Sequence, residues 1–207
     1  MSKRIFLYLL LCLSFRGYTQ NADIDLLRNL NVHRNQNLDL PMEVISVSEA
    51  YIGVAAPVSV CVAAFVKKDK KLLEKGVNMS FALVASSART YVLKRIVNRP
   101  RPAYSYPDIQ ALEPDLYFSF PSGHTSNAFV TATSLSLNFK KWYVVLPSYA
   151  WACAAGYSRL HRGVHYPSDV LAGAVVGAGS ALITYKANQW LRRFYEVRYM
   201  QKNFGVF

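Results

Sequence analysis

The segment VISVSEAYIGVAAPVSVCVAAFV, residues 44–66, decides the fold class, because Glu49 is its single charged residue. An apolar run of about 20 residues is long enough to cross the hydrocarbon core of a bilayer as a helix. Pro57 is compatible with such a helix, since neighbouring helices can satisfy the carbonyl group that proline leaves free. The segment therefore predicts a membrane-spanning helix that ends at the basic run KKDKK, residues 67–71.

Four further apolar stretches follow this one along the chain, and they cover residues 76–97, 122–138, 142–157 and 168–185. Small residues crowd the last of them, in AGAVVGAGSA at 172–181, and small residues let membrane helices approach closely. We interpret GAVVG, residues 173–177, as a site of internal packing rather than of dimerisation. The predicted fold class is all-α, an integral-membrane helix bundle of about five spans.

The N-terminus has the features of a secretory signal. Residues 1–20 begin with Lys3 and Arg4 and continue with an apolar core from Ile5 to Phe15. We expect a signal peptide, or a retained signal anchor that would bring the number of spans to six. The rest of the chain then divides into an exported, partly helical arm on the membrane surface (21–43), a helix-bundle domain (44–190) and a basic cytoplasmic tail (191–207).

Charge distribution predicts the orientation of the bundle. The chain has a formal net charge of +12 and is 52% hydrophobic. Its charges lie between the apolar stretches and no nucleic-acid motif is present, which excludes a nucleic-acid partner. Basic runs at 67–71, 140–141 and 192–193 fit the cytoplasmic side by the positive-inside rule. Loops 98–121 and 158–167 are then expected on the periplasmic face of a bacterial inner membrane, and their own positive charge indicates an anionic substrate.

Three polar clusters fall on this exported side: KRIVNRPRP at 94–102, PSGH at 121–124 and SRLHRGVHYPSD at 158–169. Arginine and lysine suit phosphate oxygens, and a helix that opens at Ser122 and Gly123 offers free N–H groups to an anion. Asp169 follows His165 by four residues and can orient its ring. PSGH alone fits an ordinary helix cap, but the clusters together indicate phosphoryl transfer without a metal or cofactor. His161 has no predicted partner and is interpreted as structural.

The spacing of these clusters resembles a known three-part signature. Lys94 precedes Arg101-Pro102 by seven positions, Pro121-Ser122-Gly123-His124 follows, and Ser158-Arg159 precedes His165 and Asp169. This pattern is similar to that of the type 2 phosphatidic acid phosphatase superfamily, which includes membrane lipid phosphatases, soluble bacterial acid phosphatases and vanadium haloperoxidases. The resemblance covers about residues 44–190. Arg99 belongs to a second Arg-Pro pair that lacks the required spacing from Lys94.

The resemblance implies a role for each residue of the signature. His165 would attack phosphorus and form a phosphohistidine, Asp169 would orient His165, and His124 would protonate the leaving oxygen and then activate water. The residues implied to bind phosphate are Lys94, Arg101, Ser122, Gly123 and Arg159.

The predicted function is that of a metal-independent membrane phosphatase acting on a phospholipid, isoprenoid or lipid A phosphate or diphosphate. A mean hydropathy of only +0.11 leaves a soluble exported acid phosphatase as an alternative. Vanadate-dependent halide oxidation is a further one, disfavoured by the short, apolar chain. A non-catalytic membrane protein that binds anionic lipid is the alternative of another class. Loop 103–118 is expected to shape access of the head group.

Overall fold

The computed structural model describes residues 22–113 and 118–204, and within these ranges every regular element is helical. The helices are α1 (22–31), α2 (Asp39–Lys67), α3 (Lys70–Val97), α4 (Pro102–Ser105), α5 (Gly123–Phe139), α6 (Trp142–His161) and α7 (Pro167–Phe204), with a 3-10 turn at Gln36–Leu38. Five of these helices coincide with the five predicted apolar stretches. The predicted signal sequence lies outside the described residues.

The basic run KKDKK forms the tight connection between α2 and α3. Lys68 ends α2 in the left-handed conformation, with φ 52°. Asp69 then caps α3, because its Oδ1 accepts hydrogen bonds from the N–H groups of Lys71 (2.9 Å) and Leu72 (3.1 Å). Local capping chemistry thus places α2 and α3 side by side as antiparallel neighbours.

Helix α5 lies at the centre of the bundle and contacts α2, α3, α6 and α7. Its closest neighbour is α7, where glycines allow the two backbones to touch. A Cβ atom added at Gly173 would lie 2.6 Å from the carbonyl oxygen of Ser122, and one added at Gly177 would lie 2.2 Å from that of Ser126. The interpretation of GAVVG as an internal packing motif is confirmed.

Two segments of the described chain, Gln36–Lys67 and Pro167–Phe194, are long and apolar enough to cross a membrane. Only 22% of the apolar window of each is buried inside the protein. The other apolar side chains point outward, as they do on Val54, Val62 and Phe65 of α2. Helix α5 has 17 residues and is shorter than a typical span. The count of five spans stays a prediction.

Helix α1 packs on the end of the bundle that carries the three polar clusters. Ile24 and Leu27 are buried in one cluster with Ile109, Leu160 and Tyr166. The side-chain amide of Asn31 donates to the carbonyl oxygen of His161 (2.9 Å). Helix α1 therefore packs on protein and covers the polar end of the bundle. The position of the arm on the membrane surface stays a prediction.

Candidate active site

All eight residues of the predicted site lie at one end of the bundle, because each sits at or next to a helix terminus. Lys94 is in the last turn of α3, Arg159 is in the last turn of α6, and Asp169 is in the first turn of α7. The others occupy the start of α5 and the connections before α4 and α7: Arg101, Ser122, Gly123, His124 and His165. Spacing along the sequence and the antiparallel arrangement of the helices together produce this convergence.

His165 is held with one ring nitrogen toward a buried carboxylate. Its Nδ1 lies 3.5 Å from Oδ2 of Asp169, and both side chains are almost completely buried. Asp169 Oδ2 also accepts hydrogen bonds from the N–H of Tyr166 (2.9 Å) and from the hydroxyl of Ser119. The other ring nitrogen of His165, Nε2, lies 3.5 Å from Nη1 of Arg101. Nε2 is therefore the nitrogen placed next to a cation that can bind phosphate.

Burial keeps the His165 ring uncharged. Desolvation lowers the pKa of His165 from its ordinary 6.5 to about 3, although the hydrogen bond with Asp169 acts in the opposite direction. The nearby charge of Arg101 adds to the lowering. A neutral imidazole has a free lone pair, which a nucleophile needs.

A cavity of about 410 Å³ opens in front of His165. Five of the eight predicted residues line it: Lys94, Arg101, Gly123, His124 and His165. Ser87, Thr90, Tyr91 and Asn127 complete the lining. Backbone carbonyls hold the two cations in place, since Lys94 Nζ donates to Phe118 O (2.6 Å) and Arg101 Nη1 donates to Val164 O (2.8 Å). The cavity thus combines a buried histidine with two fixed positive charges.

The N-terminus of α5 forms another wall of this cavity. Ser122 is the N-cap, and its Oγ accepts a hydrogen bond from the hydroxyl of Thr125 (2.9 Å). The N–H of Ser122 donates to the carbonyl oxygen of Asp169 (3.0 Å), which ties the start of α5 to the start of α7. Because the first N–H groups of a helix lack partners within the helix, the Gly123 end of α5 suits an anion.

His124 has a carboxylate beside it that the sequence analysis did not assign. Its Nε2 lies 3.9 Å from Oε2 of Glu49, whose side chain is only 5% exposed, whereas the His124 side chain is 39% exposed. Glu49 was noted as the lone charge in the first span. An ionisable residue inside a membrane segment often serves a function, and that rule was the signal that could have identified it.

Arg159 is fully buried and lies outside the set of residues that line the cavity. Its guanidinium donates to the hydroxyl of Ser46 and to Oε1 of Glu113. Glu113 also accepts from Arg162 (3.2 Å). Burial acts to raise the pKa of Glu113, but the charges of Arg159 and Arg162 hold this pKa below its ordinary value. The predicted phosphate contact of Arg159 stays a prediction, and Glu113 is an ion-pair partner that the sequence did not reveal.

Arg99 was not predicted as a site residue, because it lacks the required spacing from Lys94, but it contacts the candidate site through Asp169. Its Nη1 donates to Oδ1 of Asp169 (2.8 Å), the carboxylate that faces His165. Ser119, whose hydroxyl donates to Oδ2 of Asp169, was likewise not predicted as a site residue. Within residues 22–113 and 118–204, no cluster of three or more histidine, cysteine or acidic side chains suited to a metal occurs.

Comparison with known families agrees with this geometry. The family model of the PAP2 superfamily matches residues 75–193, more than half of the chain. The protein is a member of the PAP2 superfamily. The matched region contains all eight predicted site residues of this PAP2 protein, with Lys94 nearest its start, and ends within α7.

Two proteins similar to this PAP2 protein are named after a lipid substrate. It is 38% identical over 68 residues to the lipid A 4′-phosphatase of Bacteroides thetaiotaomicron, a match that covers 33% of this chain and 30% of that protein. It is 28% identical to the undecaprenyl-diphosphatase of Sulfolobus acidocaldarius, over 84% of this chain and 83% of the relative. The match therefore spans less than a third of the lipid A phosphatase but most of the undecaprenyl-diphosphatase.

Two solved structures share the fold. LpxE of Aquifex aeolicus superimposes with a TM-score of 0.68 at 31% identity, covering 80% of this chain and 95% of LpxE. A transmembrane PAP2-type phosphatidylglycerolphosphate phosphatase of Bacillus subtilis gives a TM-score of 0.73 at 24% identity, covering 92% and 96%. The arrangement of helices in this chain is thus that of known PAP2 proteins.

Proposed function

We propose that this PAP2 protein is an integral-membrane phosphatase that removes phosphate from a lipid phosphate or diphosphate through a phosphohistidine intermediate. The observation that carries the proposal is the position of His165. Its Nε2 lies beside Arg101 in a cavity also lined by Lys94, Gly123 and His124, while its Nδ1 faces Asp169. Nucleophile, cations and a proton donor thereby surround one space.

In the first step, Nε2 of His165 attacks phosphorus and forms an N–P bond while the bond from phosphorus to the lipid oxygen breaks. Asp169 stabilises the positive charge that develops on the ring. Lys94, Arg101 and the N-terminus of α5 bind the phosphate oxygens, whose charge redistributes in the transition state. His124 is accessible enough to reach the leaving oxygen and gives it a proton.

In the second step, His124, now neutral, accepts a proton from water, and the water oxygen attacks phosphorus. The N–P bond breaks, His165 regains its lone pair, and inorganic phosphate leaves. The residues of the chain account for every proton in this cycle. Electrostatic stabilisation by fixed cations and N–H groups supplies the charge compensation.

Several observations support a membrane location with the cavity on the periplasmic side of a bacterial inner membrane. The two long apolar helices leave most of their apolar surface outside the protein core. Lipid tails are the surroundings that such surfaces require, whereas a soluble monomer rarely exposes large apolar patches. The basic runs lie at the end of the bundle opposite the cavity, in agreement with the positive-inside rule. We expect the activity to stay in the membrane pellet after high-salt washing and to enter the supernatant only with detergent. Activity released by washing would favour the soluble alternative.

The substrate class follows from the chemistry of the cavity and the names of the relatives. A lipid A 4′-phosphatase and an undecaprenyl-diphosphatase are similar to this chain. The lining that α3 provides, from Lys94 back through Tyr91 and Thr90 to Ser87, extends down the helix toward the expected bilayer. A lipid whose phosphate reaches the cations while its chains remain in the membrane fits this arrangement.

The deciding experiment measures phosphate release by detergent-purified protein from phosphatidic acid, phosphatidylglycerol phosphate, undecaprenyl diphosphate and lipid A. We expect release from at least one of these lipids in the presence of EDTA, and its loss in His165→Ala. His33→Ala removes an exposed histidine that does not line the cavity and serves as the matched control. Full activity of His165→Ala would refute the assignment of the nucleophile. Lipid binding without phosphate release by the wild type would favour the non-catalytic alternative.

A further inference from the structure

Helix α1 contributes one acidic side chain to the rear of the candidate active site. Asp23 Oδ1 accepts a hydrogen bond from the backbone N–H of Ser168 (2.8 Å), and its Oδ2 accepts one from the Ser168 hydroxyl. Asp23 Oδ2 also accepts from Nη2 of Arg99 (2.8 Å). Its side chain is only 9% exposed. A residue of the N-terminal arm thus caps the first turn of α7, the turn that contains Asp169.

Arg99 joins this carboxylate to the one that faces His165. One guanidinium nitrogen, Nη2, binds Asp23, and the other, Nη1, binds Oδ1 of Asp169 at 2.8 Å. The guanidinium also stacks over the ring of Tyr166, 3.7 Å from its centroid. Because a guanidinium is planar and rigid, contacts at both ends and on one face fix its orientation.

The contacts on Asp169 leave its carboxylate a single orientation. Oδ1 is held by Arg99, and Oδ2 is held by the N–H of Tyr166 and the hydroxyl of Ser119 while it faces His165. Without Arg99, Oδ1 would lose its charged donor inside a fully buried environment. A buried carboxylate in that state is destabilised and free to rotate.

The charge of Asp23 acts on the site through its ion pair with Arg99, whose positive charge it offsets. Arg99 paired with Asp169 alone would form a neutral pair, and that pair would stabilise a positive ring on His165 only weakly. With Asp23 added, the group of three carries a net charge of −1. This residual negative charge stabilises the positive charge that develops on His165 as Nε2 attacks phosphorus.

We propose that Asp23 and Arg99 are positioning residues of the phosphatase, through which the N-terminal arm orients Asp169 and keeps the site electrostatically suited to a phosphohistidine. This inference rests on the proposed function. Its consequence is that the segment before the first predicted span is required for turnover. That requirement would not apply to an arm that only lies on the membrane surface.

Kinetics of four single variants and one double variant test the proposal, with the lipid that the wild-type protein hydrolyses best. Asp23→Asn keeps the shape and removes the charge, and we expect kcat to fall about 10-fold with KM within about twofold of wild type. Arg99→Gln is expected to lower kcat about 100-fold, and Arg99→Lys is expected to restore part of it. Asp25→Asn is the matched control, because Asp25 lies on the same helix, is 64% exposed and pairs only with exposed Arg28 in the part of the chain that is described.

The double variant Asp23→Asn/Arg99→Gln separates a role in positioning from a general effect on folding. If Asp23 acts through Arg99, the double variant has the same kcat as Arg99→Gln alone. A further 10-fold fall would mean independent effects and would overturn the proposal. Each assay is run well below the measured unfolding temperature of the variant.

Two other results are decisive. Wild-type kcat in Asp23→Asn, with His165→Ala inactive, would refute this inference and leave the proposed function intact. No phosphate release by the wild type from any lipid would refute the proposed function itself. If Asp23→Asn does not purify as a folded protein, the comparison of Arg99→Lys with Arg99→Gln carries the test, and equal kcat values in those two would refute the role of Arg99.

Discussion

The contact between α5 and α7 at Gly173 offers a direct test of how tightly the site depends on helix packing. An alanine Cβ at this position would lie 2.6 Å from the carbonyl oxygen of Ser122 and 3.1 Å from Cβ of Thr125. The Ser122 carbonyl belongs to the backbone and cannot rotate away. Since real Cβ contacts begin near 3.0 Å and are ordinary from 3.4 Å, the two helices must separate locally by about 0.4–0.8 Å.

Both halves of the site move with this contact. The N–H of Ser122 donates to the carbonyl oxygen of Asp169, so separating α5 from α7 shifts the N-terminus of α5 relative to the Asp169–His165 pair. A misplacement of 1 Å can cost about 100-fold in rate, so about half that distance corresponds to roughly 10-fold in kcat/KM. Overpacking costs about 1–3 kcal/mol of stability, and the better helix propensity of alanine offsets up to about 1 kcal/mol of it.

Gly179→Ala is the matched control, because it lies on the same helix, gains the same helix propensity, and its Cβ would meet nothing within 4 Å. The assay combines phosphate release with thermal unfolding in detergent. We expect Gly173→Ala to lose about 10-fold in kcat/KM and to unfold at a lower temperature than Gly179→Ala, which keeps wild-type activity. Equal kcat/KM in the two variants would refute the argument that this contact sets the geometry of the site.

Three further predictions concern two histidines, His165 and His161, and one buried acid, Glu49. Burial lowers the pKa of His165 to about 3, so between about pH 6.5 and 3 the unfolded chain binds more protons than the folded one. The free energy of unfolding therefore falls as pH drops through this window, by at most about 1.4 kcal/mol per pH unit for this group. Thermal unfolding from pH 7 to 4 should then show a shallower loss in His165→Asn, and identical slopes would contradict the assignment. His161 is fully buried with Nε2 2.7 Å from Asp39, so His161→Ala is expected to lose about 1–3 kcal/mol of stability in chemical denaturation while kcat/KM at permissive temperature stays within about twofold. Glu49→Gln is expected to lower kcat about 10-fold, since His124 loses its neighbouring carboxylate, and an unchanged kcat would mean that Glu49 is purely structural.

The helices and the signature residues were predictable because their signals are local. Apolar stretch length and the Ser122 cap depend on residues within a few positions of one another, and the structure has helices where these signals placed them. The four-residue spacing of His165 and Asp169 likewise sets their relative position within one turn. The region that the PAP2 family model matches contains these short motifs.

The partners of those residues could not be predicted in the same way. Asp23 and Ser168 are 145 positions apart, and Arg159 and Glu113 are 46 positions apart. Nothing in the sequence around an aspartate or an arginine specifies which distant charge it will meet. Arg99 illustrates this, since its spacing argued against a role in the signature while its position in the fold places it on Asp169.

By itself, the sequence determined that the chain is helical and that its long apolar segments suit a bilayer, and it predicted that His165, His124 and Asp169 belong to one candidate site. Those properties follow from hydrophobicity, capping and spacing over one or two helical turns. Only the tertiary structure decided that α1 closes the rear of the site, that Glu49 lies beside His124, and that Arg99 links Asp23 to Asp169. The physical reason is that ion pairs and buried hydrogen bonds depend on distances across the packed bundle, and close helix contacts such as those at Gly173 and Gly177 set these distances.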